Sequence, residues 1–169
     1  PIAGREAVAV KGLLALPADQ AKAAAAMVLR QQKSVAVQPW LSLIAHAGDA
    51  ESVSRLFGEL PGSLDAAGLS AALLACSESG QRGVAAPEKI NNVATYLDHA
   101  DVSVRRATIG VIGAWRLAAY VPRISSFAQD KELRNDVLAA FQRFGKPAVP
   151  ELERLLTDEK DAGDRANGA

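Results

Sequence analysis

The chain is 169 residues long, enough to bury one core without disulfide or metal staples, and its 49% hydrophobic and 22% charged residues are globular rather than disordered usage. Lys and Arg together number 19, as do Asp and Glu, so no overall field draws the molecule toward nucleic acid or an anionic membrane. No apolar run approaches the ~20 residues of a membrane-spanning helix, and the lone Cys76 excludes an internal disulfide.

Alanine dominates the apolar fraction and aromatics supply only 5%, which favours helix packed closely on helix. Taken along the chain, apolar periodicity predicts helices over residues 4–15, 18–32, 37–47, 50–60, 64–77, 88–98, 102–117, 120–128, 131–144 and 148–157. Pro17, Gly48-Asp49, Pro61-Gly62, Ala100-Asp101, Asp130 and Gly145 with Pro147 separate these runs, and several supply cap or stop chemistry. Pro122 and Pro150 fall in the first turn of their helices, where a missing N–H costs nothing. The stretch Ser77 to Asn92, with its Ser, Gly and Pro87, is expected to be a long inter-helix loop. No segment reads as a strand, because Val35-Ala36-Val37 is short and runs into a helical pattern. The tail, 159–169, with hardly an apolar anchor in its Asp, Gly and Ala, is expected to be disordered. No targeting segment is visible at Pro1, so the sequence assigns no compartment.

Two interleaved apolar series run through these helices. The first is Ala25, Val53, Val93, Val121 and Val149, at intervals of 28, 40, 28 and 28 residues; the second is Leu13, Leu41, Leu69, Ile109 and Leu138, at intervals of 28, 28, 40 and 29. Each member has an apolar or small partner at i+3, such as Leu56, Ile124, Ile44 or Ile112, which marks one helical face. Both series lengthen by about twelve residues in the same interval, a coincidence that chance matches in an Ala-rich chain would not share. Helices too short to be stable alone, each with one apolar stripe, must stack on their sequence neighbours. The expected fold is all-α: about five helical hairpins over residues 1–158. The array opens and closes within a pair, as a segment excised from a longer protein would.

The residues Val93 to Leu97, Asp101, Val104-Arg105-Arg106-Ala107 and Ile109 to Ala114, then Val121-Pro122-Arg123-Ile124, Asp130 and Leu133-Arg134, then Val149-Pro150-Glu151-Leu152 and Leu155 to Asp158, follow one pattern. It resembles the short bacterial HEAT repeat, the phycobilisome-lyase-type HEAT-like family, over residues 88–158; from 4 to 79 the spacing persists but the Asp and Arg marks are mostly missing. The resemblance implies a right-handed α-α superhelix, or solenoid, in which the Asp ends the first helix of a pair and the Arg reaches back across the turn in a ladder of local ion pairs. The phrase Arg105-Arg106-Ala107 through Trp115-Arg116-Leu117 is also similar to the HEAT segment of large multidomain bacterial proteins that join a sugar-dehydrogenase-like propeller to a c-type haem domain. The haem-attachment pattern C-x-x-C-H is absent from the chain.

Catalytic constellations are not found. The two histidines, His46 and His99, are far apart, and the His-Glu dipeptide of the family's diiron hydroxylases is absent, so neither a zinc nor an iron site is expected. Gly110-x-x-Gly113 lies inside a helix and reads as close helix approach rather than a phosphate loop. No catalytic residue, cofactor or metal ligand is assigned. One electrostatic feature remains: residues 102–146 carry eight basic side chains against three acidic ones. Arg105, Arg106, Arg116, Arg134 and Trp115 are therefore the candidate partner-binding residues, with Arg105 and Arg134 also expected to brace turns. The expected function is a non-catalytic protein-protein interaction or scaffold module of a larger protein. The alternatives are a region supporting a neighbouring redox or lyase domain, and nucleic-acid binding through 102–146, which the near absence of interleaved aromatics argues against.

Overall fold

Aspartates set the helix starts. The Asp49 carboxylate accepts a hydrogen bond from the Ser52 amide at 2.9 Å while the Ser52 hydroxyl accepts from the Asp49 amide at 3.0 Å, a reciprocal capping box. Asp65 accepts from the Gly68 amide at 2.8 Å, and Asp101 from the Ser103 amide at 2.8 Å. The structure, a computed structural model, describes residues 2–62 and 64–157; within them the protein is all-helical and contains no strand. The α-helices are α1 (Ile2–Leu14), α2 (Ala18–Arg30), α3 (Trp40–Ala47), α4 (Ala50–Glu59), α5 (Ala66–Gln81), α6 (Val102–Ala114), α7 (Val121–Ser125) and α8 (Arg134–Phe144). A 3-10 helix spans Ile90–Asp98, shorter ones flank α7, and residues 146–157 are helical. Each of the ten expected segments is thus helical. The tail expected over 159–169 lies outside the described residues.

Two expectations are corrected. The loop expected over 77–92 is confined to 82–89, because α5 continues through Gln81. Its Ser-Glu-Ser-Gly sequence resembles loop chemistry, yet the buried Ser79 hydroxyl lies 2.9 Å from the Ala75 carbonyl and 3.1 Å from the Ile44 carbonyl of α3, so it serves helix and packing at once. The segment expected as a helix from 88 is 3-10 rather than α over Ile90–Asp98. Its buried Ile90, Val93, Ala94 and Leu97 fit either helix, since an i, i+3 stripe serves both periods.

The helices pack on one another in chain order, in two sets. In one, α1 packs on α3, α3 on α5, α5 on α6 and α6 on α8, in chain order. In the other, α2 packs on α1, α3 and α4, α4 on α5, the Ile90–Asp98 helix on α6, and Ser126–Gln129 on α8. The core holds the fully buried Leu29, Leu43, Ile44, Leu56, Leu73, Leu97, Ile109, Ile112, Ile124 and Leu133. Of the two apolar series, Ala25, Val53, Val93, Val121, Leu41, Leu69 and Ile109 are buried and Leu13 is half-buried, whereas the last members, Leu138 and Val149, are 42% and 45% exposed. Gly113 sets the α6–α8 spacing, since a Cβ there would stand 2.9 Å from the Ala140 Cα. Every buried side-chain nitrogen or oxygen among the described residues has a hydrogen-bond partner, and no described helix is long and apolar enough to cross a membrane.

Candidate partner-binding site

Arg105 and Arg134 brace turns. The Arg105 Nη1 donates to the carbonyls of His99 at 2.9 Å and Ala100 at 3.0 Å, and the Arg134 Nε donates to the Ala128 carbonyl at 2.9 Å. Each guanidinium thus neutralises the carbonyl end of the helix before it, where the backbone dipole is negative. The expected ladder of Asp–Arg pairs within a turn is replaced by these carbonyl contacts. Asp101 is held by Ser103, and the Arg105 guanidinium stands 4.0 Å from Asp130 of the next turn. Two further arginines do the same work in the half of the chain that lacked the Asp and Arg marks. Arg55 donates to the Leu29 and Gln32 carbonyls at 2.7 and 2.8 Å, and Arg82 to the Ala45, Ile44 and Gly48 carbonyls at 2.7, 2.8 and 3.0 Å. Arg106, half exposed, pairs with Asp136 at 3.0 Å and donates to the Glu132 carbonyl at 2.9 Å.

Trp115 and Arg116 stand apart from that group, at the C-terminal end of α6. The Trp115 indole lies against Gly80, where a Cβ would come within 2.9 Å of its ring, and its Nε1 donates to the Val84 carbonyl at 2.9 Å. Arg116 follows with φ 51°, its amide donating to the Gly113 carbonyl at 3.2 Å and the Leu117 amide to the Ile112 carbonyl at 3.0 Å. This double bond pattern closes a helix on a left-handed residue, a position that suits glycine. The ends of α5 and α8 do use glycine, Gly83 at φ 84° and Gly145 at φ 64°; only α6 of the three carries a side chain there. Around Trp115 and Arg116 opens a cavity of about 590 Å³, walled by Gly80, Gln81 and the loop residues Gly83 to Ala86, with Arg143 of α8 on its rim. Of the five candidates, the structure brings Trp115 and Arg116 together and leaves Arg105, Arg106 and Arg134 at other turns. Arg143 and the 83–86 loop were not singled out by the sequence, although Arg143 belongs to the basic stretch.

The titratable groups serve the scaffold. Hydrogen bonds from the Ser103 hydroxyl and amide hold the Asp101 carboxyl below the ordinary aspartate range. Burial alone would raise Asp49, but the hydrogen bonds from Ser52 prevail and lower it. Burial pushes the Cys76 thiol up to about 12, which leaves it a small buried apolar group. His46 sits 2.9 Å from the Ser42 carbonyl in the last turn of α3, and the His99 Nδ1 accepts from the Asp101 amide at 3.1 Å. Among the described residues no three His, Cys, Asp or Glu side chains gather as a metal-binding group.

Fold and surface together define an all-helical protein braced by arginines, with an arginine-rimmed cavity beside the 82–89 loop. No family model, curated protein or solved structure matches the chain.

Proposed function

We propose that the protein is a HEAT-like helical solenoid that acts as a non-catalytic module for binding other proteins. The carrying observation is the order of one set of helices: α1, α3, α5, α6 and α8 contact one another in sequence, each against the next, with the other helices packed against them. Stacked units of this kind grow in one direction and present one helix from each unit side by side, a surface broad enough for a protein partner. That set carries the exposed Leu74, which with His46, Gln38 and Glu78 lines a shallow groove of about 190 Å³ between α3 and α5. Half of the eight basic side chains in 102–146 are engaged internally: Arg105 and Arg134 hold carbonyls, and Arg106 and Arg123 are paired with Asp136 and Asp98. This weakens the nucleic-acid reading, which needs a run of phosphate-facing cations.

Photo-crosslinking tests the reading. A photoreactive residue in place of Leu74 is expected to trap protein partners in the native cell extract, whereas one in place of the exposed Thr95, in the other set of helices, is not. Equal trapping at both positions, or at neither, would remove the basis for a binding face on the first set. A gel shift at low salt gives the complementary check, with no retarded nucleic acid expected.

A further inference from the structure

The cavity beside Trp115 lies where the repeat breaks. The interval of 40 residues in both apolar series contains the 82–89 loop, and that loop forms one wall of the cavity. Loops that depart from a regular scaffold are where binding groups concentrate. Three further features converge there. Arg116 occupies a left-handed position where α5 and α8 carry glycine, and its guanidinium makes no hydrogen bond or ion pair among the described residues. Arg143, on the rim, is held by neutral oxygens alone, the Gln81 side chain at 3.3 Å and the Ala139 carbonyl at 3.4 Å. No Asp or Glu lines the cavity, so two cations face it without a counter-charge.

The loop adds donors. The backbone amides of Ala85 and Ala86 have no hydrogen-bond partner among the described residues, while the carbonyls of Ser79, Gly80, Ile112 and Gly113 are taken by the helix-closing amides. The site therefore offers guanidinium forks, free N–H groups and one indole wall. Planar guanidinium matches the two oxygens of a carboxylate, and unpaired backbone N–H groups can donate to a partner's oxygens. With only two uncommitted guanidiniums, the site is too local to track a nucleic-acid backbone, whose binding rests on many phosphate contacts.

We propose that this cavity binds an acidic, extended peptide segment of a partner protein, with carboxylates against Arg116 and Arg143 and peptide backbone against the Ala85 and Ala86 amides. The proposal deepens the interaction-module reading and rests on it.

The test is a fluorescence titration of the whole chain with a blocked alternating Ala-Glu octapeptide, using the half-buried Trp115 as reporter; Trp40 is buried and does not line the cavity. A saturable change is expected, absent with the matching Ala-Gln peptide. Arg116→Gly and Arg143→Gln are each expected to weaken binding by about tenfold or more. Arg116→Gly is the decisive variant, because glycine suits the left-handed backbone and its melting temperature is expected to hold or rise. No saturable change with the Ala-Glu peptide, or equal affinity in Arg116→Gly, would overturn the site. Displacement of the peptide by inorganic phosphate at comparable concentration would make it a small-anion site, and tighter binding of a single-stranded oligonucleotide would assign it to nucleic acid; either result rejects the peptide. Crosslinking at Leu74 is read separately, so the site can fail while the interaction module stands.

Discussion

Arg82 reaches from the end of α5 to three carbonyls of α3 and the turn after it, at 2.7 to 3.0 Å. Charge-assisted hydrogen bonds of this kind contribute about 1–3 kcal/mol, whereas an exposed pair contributes about 0–1 kcal/mol. Arg82→Ala is therefore expected to cost more in urea denaturation than Arg105→Ala or Arg134→Ala, which brace one turn each, and all three more than removal of the half-exposed Arg106. Equal losses for Arg82→Ala and Arg106→Ala would show that three carbonyl contacts add nothing beyond the single carbonyl contact and surface pair of Arg106. At Asp101 the folded carboxyl ionises at lower pH than the unfolded one. Its stabilising contribution is complete above the unfolded value and disappears as pH falls through the folded one. Asp101→Asn keeps a capping acceptor but cannot titrate, so its melting temperature should decline less than that of the unaltered protein between about pH 5 and 3. Parallel declines would remove Asp101 from the acid response.

At the scale of the element, α6 approaches α8 closely. Gly113 faces Ala140 with no room for a methyl group, the Cβ position standing 2.9 Å from both Ala140 Cα and Cβ. Overpacking in a fitted core costs about 1–3 kcal/mol or more. Gly113→Val is expected to lower the melting temperature well beyond the helix-propensity gain of replacing glycine. Gly110, whose added Cβ would meet only the Ser77 side chain at 3.1 Å or beyond, should tolerate alanine better. Calorimetry on the two variants separates helix spacing from propensity. The Gly-x-x-Gly signal in the sequence announced a close approach, but which glycine bore it depended on α8 lying over Gly113.

For the whole molecule, burial is uneven along the stack. Among the described side chains of α1, Val10 alone is buried and Val8 is 71% exposed, while α5 and α6 are buried along most of their lengths. In a stack held by nearest-neighbour contacts, units open separately and the centre opens last. Amide exchange measured by mass spectrometry is expected to be fastest in α1, slowest in α5 and α6, and faster again in residues 146–157. Uniform protection would mean one cooperative unit in place of a series of docked hairpins.

The sequence by itself determined that the chain is helical, where most helices begin, and most of the side chains that the two apolar series bury, because each of these is a local matter. Asp49, Asp65 and Asp101 act on amides two or three residues ahead, and an i, i+3 stripe can be counted without knowing what covers it. Tertiary structure alone decided the rest. The guanidiniums of Arg55 and Arg82 find carbonyls more than twenty residues away, α5 runs on through Ser79 because α3 offers an oxygen at Ile44, and Arg143 meets Gln81 across 62 residues. The arginine-rimmed cavity arises from three helices and a loop arriving at one place, and no spacing along the chain encodes that meeting.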